Sequence, residues 1–107
     1  MTEGLEKNRR FLLQVEQTIR LANNEVIHQQ ISPVTSDRML SFAVTLAKLR
    51  AEYIKAAFDF ADAKHEEGAG IESEINELCL RRKKFEEVRC AFLAIQRGIE
   101  LGYVMTE

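Results

Sequence analysis

The chain has 107 residues, of which 46% are hydrophobic and 30% charged, and its net charge is −2 at pH 7. This length and composition indicate one globular domain that can bury a core without disulfides or metals. The near-balanced charge gives no overall attraction to nucleic acid or anionic lipid. No apolar run approaches the ~20 residues of a membrane-spanning helix. The first residues, MTEGLEKNRRFLLQ, lack the apolar core of a signal peptide, so we expect a cytoplasmic protein.

The first predicted helix covers residues 3–31. Six of its apolar residues follow a heptad pattern, which places them on one face of the helix. These residues are Leu5, Leu12, Val15, Ile19, Ala22 and Val26. The helix is expected to end in the segment ISPVTSD (31–37), because the only proline in the chain disfavours a helical conformation at the residue before it.

The second predicted helix covers residues 36–67. Thr35 or Ser36 offers an N-cap, and Gly68 offers a left-handed C-cap. Apolar residues recur at three- and four-residue spacing along two faces of this helix. The first stripe consists of Met39, Phe42, Leu46, Leu49, Tyr53, Ala56, Phe60 and Ala63. The second stripe consists of Leu40, Val44, Ala47, Ala51, Ile54, Phe58, Ala61 and His65.

Together the two stripes give the second helix an unusually wide apolar surface. Their centres lie about 150° apart and the apolar arc spans roughly 200°, whereas a core-facing helix needs a little over 100°. Either the other two helices flank this helix on nearly opposite sides, or another chain covers the second stripe. We expect a homodimer whose interface includes Leu40, Val44, Ala47, Ala51, Ile54 and Phe58.

The third predicted helix covers residues 71–101, and Gly102 is its expected stop. Its apolar stripe consists of Ile71, Ile75, Leu78, Phe85, Val88, Phe92, Ile95 and Ile99. Leu80, Leu93 and Leu101 lie off this stripe, so we expect them to contact a partner. Short loops between long helices predict an all-α fold, an elongated antiparallel three-helix up-down-up bundle with coiled-coil-like packing.

Four consecutive cations, Arg81, Arg82, Lys83 and Lys84, interrupt the third helix. They cover a full turn, so one of the two arginines must extend its head outward from a position near the core. If the second and third helices are antiparallel, residues whose numbers add to about 138 lie level. Arg82 then lies near Ala56, with Glu52 and Asp59 one turn to either side. The favoured interpretation is a solvated turn held by weak ion pairs.

A basic belt is the alternative interpretation of these cations. The same level-matching places Arg9 and Arg10 of the first helix beside Arg81 and Arg82. Such a belt binds phosphates or an acidic protein. Few aromatic side chains interleave with the cations, which disfavours nucleic acid as the ligand.

Metal and catalytic motifs are weak in this sequence. Glu25 and His28, and likewise Asp62 and His65, have the spacing found in di-iron helical bundles, but the predicted helices hold the two pairs some 40 Å apart. Cys79 and Cys90 are about 16 Å apart along one helix, too far for a disulfide. No phosphate loop or nucleophile–base pair is present in the sequence. We therefore expect no enzyme and no cofactor, but a helical module that binds another protein along its helices.

Overall fold

A computed structural model describes residues 2–63 and 70–107, and 86% of these residues are helical. In them the helices are α1 (Thr2–Gln30), α2 (Ser36–Asp62) and α3 (Ile71–Glu100). The described residues contain no strand, only one isolated parallel bridge between Val34 and Thr106. The prediction of an all-α chain with three long helices is confirmed. The predicted helix end at residue 67, the cap at Gly68 and the candidate ligand His65 lie outside the described residues.

Charged side chains at the ends of the helices have signs that stabilise those helices. Glu3, Asp37 and Glu72 lie in the first turns of α1, α2 and α3, and Arg97 lies in the last turn of α3. Anions near a helix N-terminus and cations near its C-terminus stabilise the helix dipole. These residues therefore stabilise the starts of the three helices and the end of α3.

The backbone divides into two compact units. One contains the residues up to Thr35 together with Gln96–Glu107, and the other contains Ser36–Ile95. The prediction of a single domain, and that of up-down-up packing of the three helices, stay predictions.

The unit Ser36–Ile95 is an antiparallel pairing of α2 with α3. The Phe42 and Phe92 ring centroids are 5.4 Å apart, and those of Tyr53 and Phe85 are 6.1 Å apart. Residue numbers in these contacts rise along α2 and fall along α3, so the two helices are antiparallel. The Tyr53–Phe85 pair matches the predicted register, in which level residues have numbers that add to about 138. Leu46 of the first stripe and Phe85 of α3 are buried, and the other residues of the first stripe are half-buried. The first stripe is therefore the face of α2 that packs on α3.

The other unit contains the end of α3, where the predicted stop at Gly102 is confirmed. Gly102 has φ +78°, a left-handed conformation that L side chains adopt only with strain. The Gly102 N–H donates to the Ile99 carbonyl at 3.1 Å, and the Tyr103 N–H donates to the Gly98 carbonyl at 2.7 Å. These two bonds form a Schellman motif, which satisfies carbonyls at the helix end and reverses the chain.

Beyond this turn, the C-terminal segment pairs with the linker that follows α1. The Val34 N–H donates to the Met105 carbonyl at 2.8 Å, the Glu107 N–H donates to the Val34 carbonyl at 3.1 Å, and Val34 is buried. His28 Nε2 lies 3.2 Å from the Gly102 carbonyl oxygen. We call residues 103–107 with their contacts to the linker the C-terminal clasp. This clasp is not predicted from the sequence.

Most of α1 is open to solvent. Residues 2–22 are all exposed, and half-burial begins only at Asn23, Asn24 and Ile27. Leu5 of the predicted heptad stripe is 70% exposed and Leu12 is 61% exposed. The prediction that this stripe packs in a bundle core is therefore not confirmed.

Candidate docking surface

The second stripe of α2 forms an exposed apolar surface. Leu40 is 63% exposed and Phe58 is 64% exposed. The residues of the stripe between them are also exposed, namely Val44, Ala47, Ala51 and Ile54. The stripe from Leu40 to Phe58 is about 27 Å long at 1.5 Å per residue. An exposed apolar surface that is continuous over this length is typical of protein interaction sites.

The angle between the two stripes explains why the second one stays open in this unit. One neighbouring helix covers an arc a little wider than 100°. Because the stripes lie about 150° apart around α2, α3 covers the first stripe and cannot reach the second. The sequence leaves open what covers the second stripe, and in the structure its side chains from Leu40 to Ala61 are exposed.

The edges of the second stripe are cationic between residues 43 and 57. Lys48 and Lys55 follow one edge, and Arg50 lies on the other. The Arg50 guanidinium lies 5.3 Å from the Phe85 ring centroid, a cation–π contact within the α2–α3 pair. Lys55 Nζ also donates to Asp59 Oδ2 at 2.9 Å. Since both groups are highly exposed, this ion pair is weak and leaves the lysine available to a partner.

The predicted contact residues on α3 do not extend this surface. Leu80 and Leu93 are both 45% exposed. Thirteen residues separate them, so they point about 140° apart around the helix. Leu101 lies beyond the end of α3 and is half-buried in the other unit. These three leucines therefore do not form one face.

Arg81, and not Arg82, connects the two helices. Arg81 Nε donates to Glu77 Oε1 at 2.9 Å, and a terminal guanidinium nitrogen donates to Glu52 Oε2 at 3.1 Å. The hydrogen bond with Glu77 and the negative charges of Glu77 and Glu52 raise the pKa of Arg81 above its ordinary value. Arg81 is thus the near-core arginine, whereas Arg82 is exposed.

The remaining cations of the run are solvated. Arg82, Lys83 and Lys84 are exposed and have no ion-pair partner among the described residues. Arg9 and Arg10 are exposed on α1 and belong to the other unit. The basic belt that would join these residues stays a prediction.

A groove between α2 and α3 lies beside Arg81. Ala56, Phe60 and Leu78 form its apolar part, and carboxylates and two cations form its rim. One of the two cations, Arg81, is engaged with Glu52 and Glu77. The carboxylates on the rim outnumber the cations, so the groove does not attract an anionic ligand.

Other kinds of site are not supported by residues 2–63 and 70–107. These residues contain no group of three or more His, Cys, Asp or Glu side chains that could hold a metal ion. No helix in them is long and apolar enough to cross a membrane. Cys79 is half-buried, Cys90 is exposed, and both thiols are free.

Comparison with protein-family models, with curated proteins and with solved structures finds no match.

We predict that Arg81→Ala lowers the urea midpoint of unfolding more than Arg82→Ala does. Arg81 forms one ion pair across to Glu52 of α2 and another along α3 with Glu77. Arg82 has no ion-pair partner among the described residues. Circular dichroism at increasing urea concentration measures both midpoints. Equal midpoints for the two variants, or a larger loss for Arg82→Ala, would contradict the assignment of Arg81 as the connecting residue.

Proposed function

We propose that this protein is a non-catalytic, cytoplasmic interaction module that binds an amphipathic helix of another protein along the second stripe of α2. The observation that carries the proposal is the continuous exposure of this stripe from Leu40 to Phe58, beside a first stripe packed on α3. A helix lying along such a stripe inserts apolar residues spaced by three and four positions. Ala47 and Ala51 at the centre of the stripe let the bound helix approach closely.

The charges at the edges of the stripe indicate the chemistry of the partner. Lys48, Lys55 and Arg50 border the central part of the stripe, and no acidic residue occupies an edge position there. Charges beside an apolar helix seam set the choice of partner. The fitting partner is a helix with an apolar face and with glutamate or aspartate along both edges of that face.

A second copy of the chain fits this stripe less well than an acidic helix does. Antiparallel self-pairing about residue 49 matches Leu40 with Phe58 and Ala47 with Ala51, which is favourable in shape. The same register brings Lys48 beside Lys48 of the second copy and Arg50 beside its counterpart. Like charges across a seam are unfavourable, and parallel self-pairing opposes Arg50 to Lys55. The stripe is therefore assigned to a different protein.

We predict that Ala51→Arg abolishes partner binding while changing the free energy of unfolding by no more than about 0.5 kcal/mol. The exposed position tolerates arginine in the free protein, but in a complex the side chain enters the closest part of the contact. The matched control is Thr45→Arg, which adds the same charge at an exposed position of α2 about 150° away from the stripe. Thr45→Arg should bind normally.

A suitable probe is a labelled helical peptide with a leucine seam and glutamates at both edges, compared with the same peptide carrying lysines there. Fluorescence anisotropy should show binding of the acidic peptide only, and the affinity should fall as salt rises. The proposal fails if Ala51→Arg binds the acidic peptide as well as the unmodified chain does, or if both peptides bind equally.

Anion binding through the basic run of α3 is the second candidate function. The observation that favours it is the exposure of Arg82, Lys83 and Lys84 without ion-pair partners among the described residues. Free cations at a surface attract phosphate or sulfate groups through charge-assisted hydrogen bonds. Arg81 is excluded from this role because it is engaged with Glu77 and Glu52.

Replacing Lys83 and Lys84 together with glutamine tests the second candidate. Stability should change by no more than about 0.5 kcal/mol per site, since both side chains are on the surface. If the run binds anions, the variant should elute from immobilised heparin at lower salt than the unmodified chain does. Identical elution of the two proteins would assign the run to a solvated turn of α3, with no anion-binding role.

A further inference from the structure

Residues 2–22 of α1 form a helix whose apolar face lacks cover. All of these residues are exposed, and α1 contains no buried residue. Most of the stability of a helix in a protein comes from packing of its apolar face on another element. Half-burial begins at Asn23, and His28 contacts the Gly102 carbonyl, so the C-terminal clasp contacts only the last turns of α1. The uncovered part of α1 therefore ends at residue 22.

The apolar face of this part has the pattern of a coiled-coil seam. Leu5, Leu12 and Ile19 recur every seven residues, Val15 lies between Leu12 and Ile19, and Ala22 follows Ile19. The polar Asn8 holds the corresponding position between Leu5 and Leu12. Leu13 and Leu21 are exposed as well, but they lie outside this seam. We call the five apolar residues Leu5, Leu12, Val15, Ile19 and Ala22 the α1 seam. The exposed fractions of the four larger side chains range from 70% at Leu5 to 38% at Val15, and Ala22 is also exposed.

Arg9 and Glu16 are the charged residues that flank the α1 seam on one edge. They are seven residues apart, exposed, and without ion-pair partners among the described residues. Residues at these flanking positions form ion pairs between helices and set their orientation. The two side chains carry opposite charges on the same edge, which is the pattern that allows a helix to pair with an inverted copy of itself.

We propose that the occupant of the α1 seam is α1 of a second copy, paired antiparallel about the midpoint between Leu13 and Gln14. In this register Leu5 lies opposite Ala22 and Leu12 opposite Val15 of the partner copy, and the two-fold symmetry repeats each contact. Arg9 lies beside Glu16 of the other copy, twice in the dimer. The overlap covers residues 5–22, which is the part of α1 that the clasp leaves uncovered.

Charge excludes the neighbouring arrangements. A shift of the pairing by one heptad in one direction brings Arg9 beside its own counterpart, and a shift in the other direction brings Glu16 beside its counterpart. Parallel pairing places Arg9 near Gly4 and Glu16 near Phe11, so it forms neither ion pair. Because like charges across a seam are unfavourable and opposite charges are favourable, only the stated register satisfies both residues.

Charge reversal of the flanking residues tests the register. Arg9→Glu and Glu16→Arg should each raise the dissociation constant of the dimer about tenfold, since two symmetry-related pairs change from attraction to repulsion. The variant with both substitutions should recover the original dissociation constant. Arg10→Glu, an identical charge change on the face away from the seam, is the matched control and should have no effect.

Sedimentation at micromolar concentrations measures these constants, and a chain of 12.3 kDa makes monomer and dimer easy to separate. Leu12→Asp should give monomer only, whereas Leu21→Asp should remain dimeric. Helical circular dichroism should fall on dilution of the unmodified chain, because α1 loses its cover. Unchanged dichroism of Leu12→Asp beside a retained dimer would overturn the proposal, as would a monomeric unmodified chain.

Cross-linking tests the orientation independently. With Cys79 and Cys90 replaced by serine, a mixture of the Leu5→Cys and Ala22→Cys variants should be cross-linked by a short bismaleimide. Cross-linking within the Leu5→Cys variant alone would show parallel pairing and overturn the proposal. Ala51→Arg should leave this dimer intact, so loss of partner binding at α2 and loss of the α1 dimer are separate outcomes.

Discussion

The pairing of α2 with α3 is the interaction on which the account of the surface depends. Phe42 with Phe92 and Tyr53 with Phe85 join the two helices, and Leu46 is buried beside them. A helix can turn only one face toward one neighbour. Packing the first stripe on α3 therefore leaves the second stripe of the same helix facing away from this contact. The exposed surface of α2 is thus a consequence of the way in which its core face is used.

Charge distinguishes the two apolar surfaces that the structure leaves open. The second stripe of α2 has cations on both edges, so it favours an acidic partner over a second copy of itself. The α1 seam has Arg9 and Glu16 on one edge, so it favours an inverted copy of itself. Apolar content alone does not separate these cases, because both stripes consist of the same kinds of residue. The flanking residues supply the difference, and they are the basis on which we propose self-association through α1 and partner binding through α2.

Periodicity and breakers predict much of this fold. The three helices, the first stripe as the core face of α2, and the stop at Gly102 follow from local patterns and are confirmed. The C-terminal clasp was not predicted, because the pairing of Val34 with residues 105–107 joins segments far apart in sequence and has no apolar period. Arg81 and Arg82 are adjacent on one turn, and their roles depend on a small rotation of α3 that spacing does not fix. The exposure of Leu5 and Leu12 was not predicted, because a heptad pattern indicates a packing face but does not identify the helix that packs on it.

Two substitutions of the same kind on α2 test the central claim most directly. Leu46 is buried against α3, whereas Leu40 of the second stripe is 63% exposed. Urea denaturation at low protein concentration should show that Leu46→Ala reduces the free energy of unfolding by about 2–5 kcal/mol. Leu40→Ala should change it by no more than about 0.5 kcal/mol. If Leu40→Ala destabilises the isolated chain as much as Leu46→Ala does, the second stripe is covered within the chain and the account is wrong.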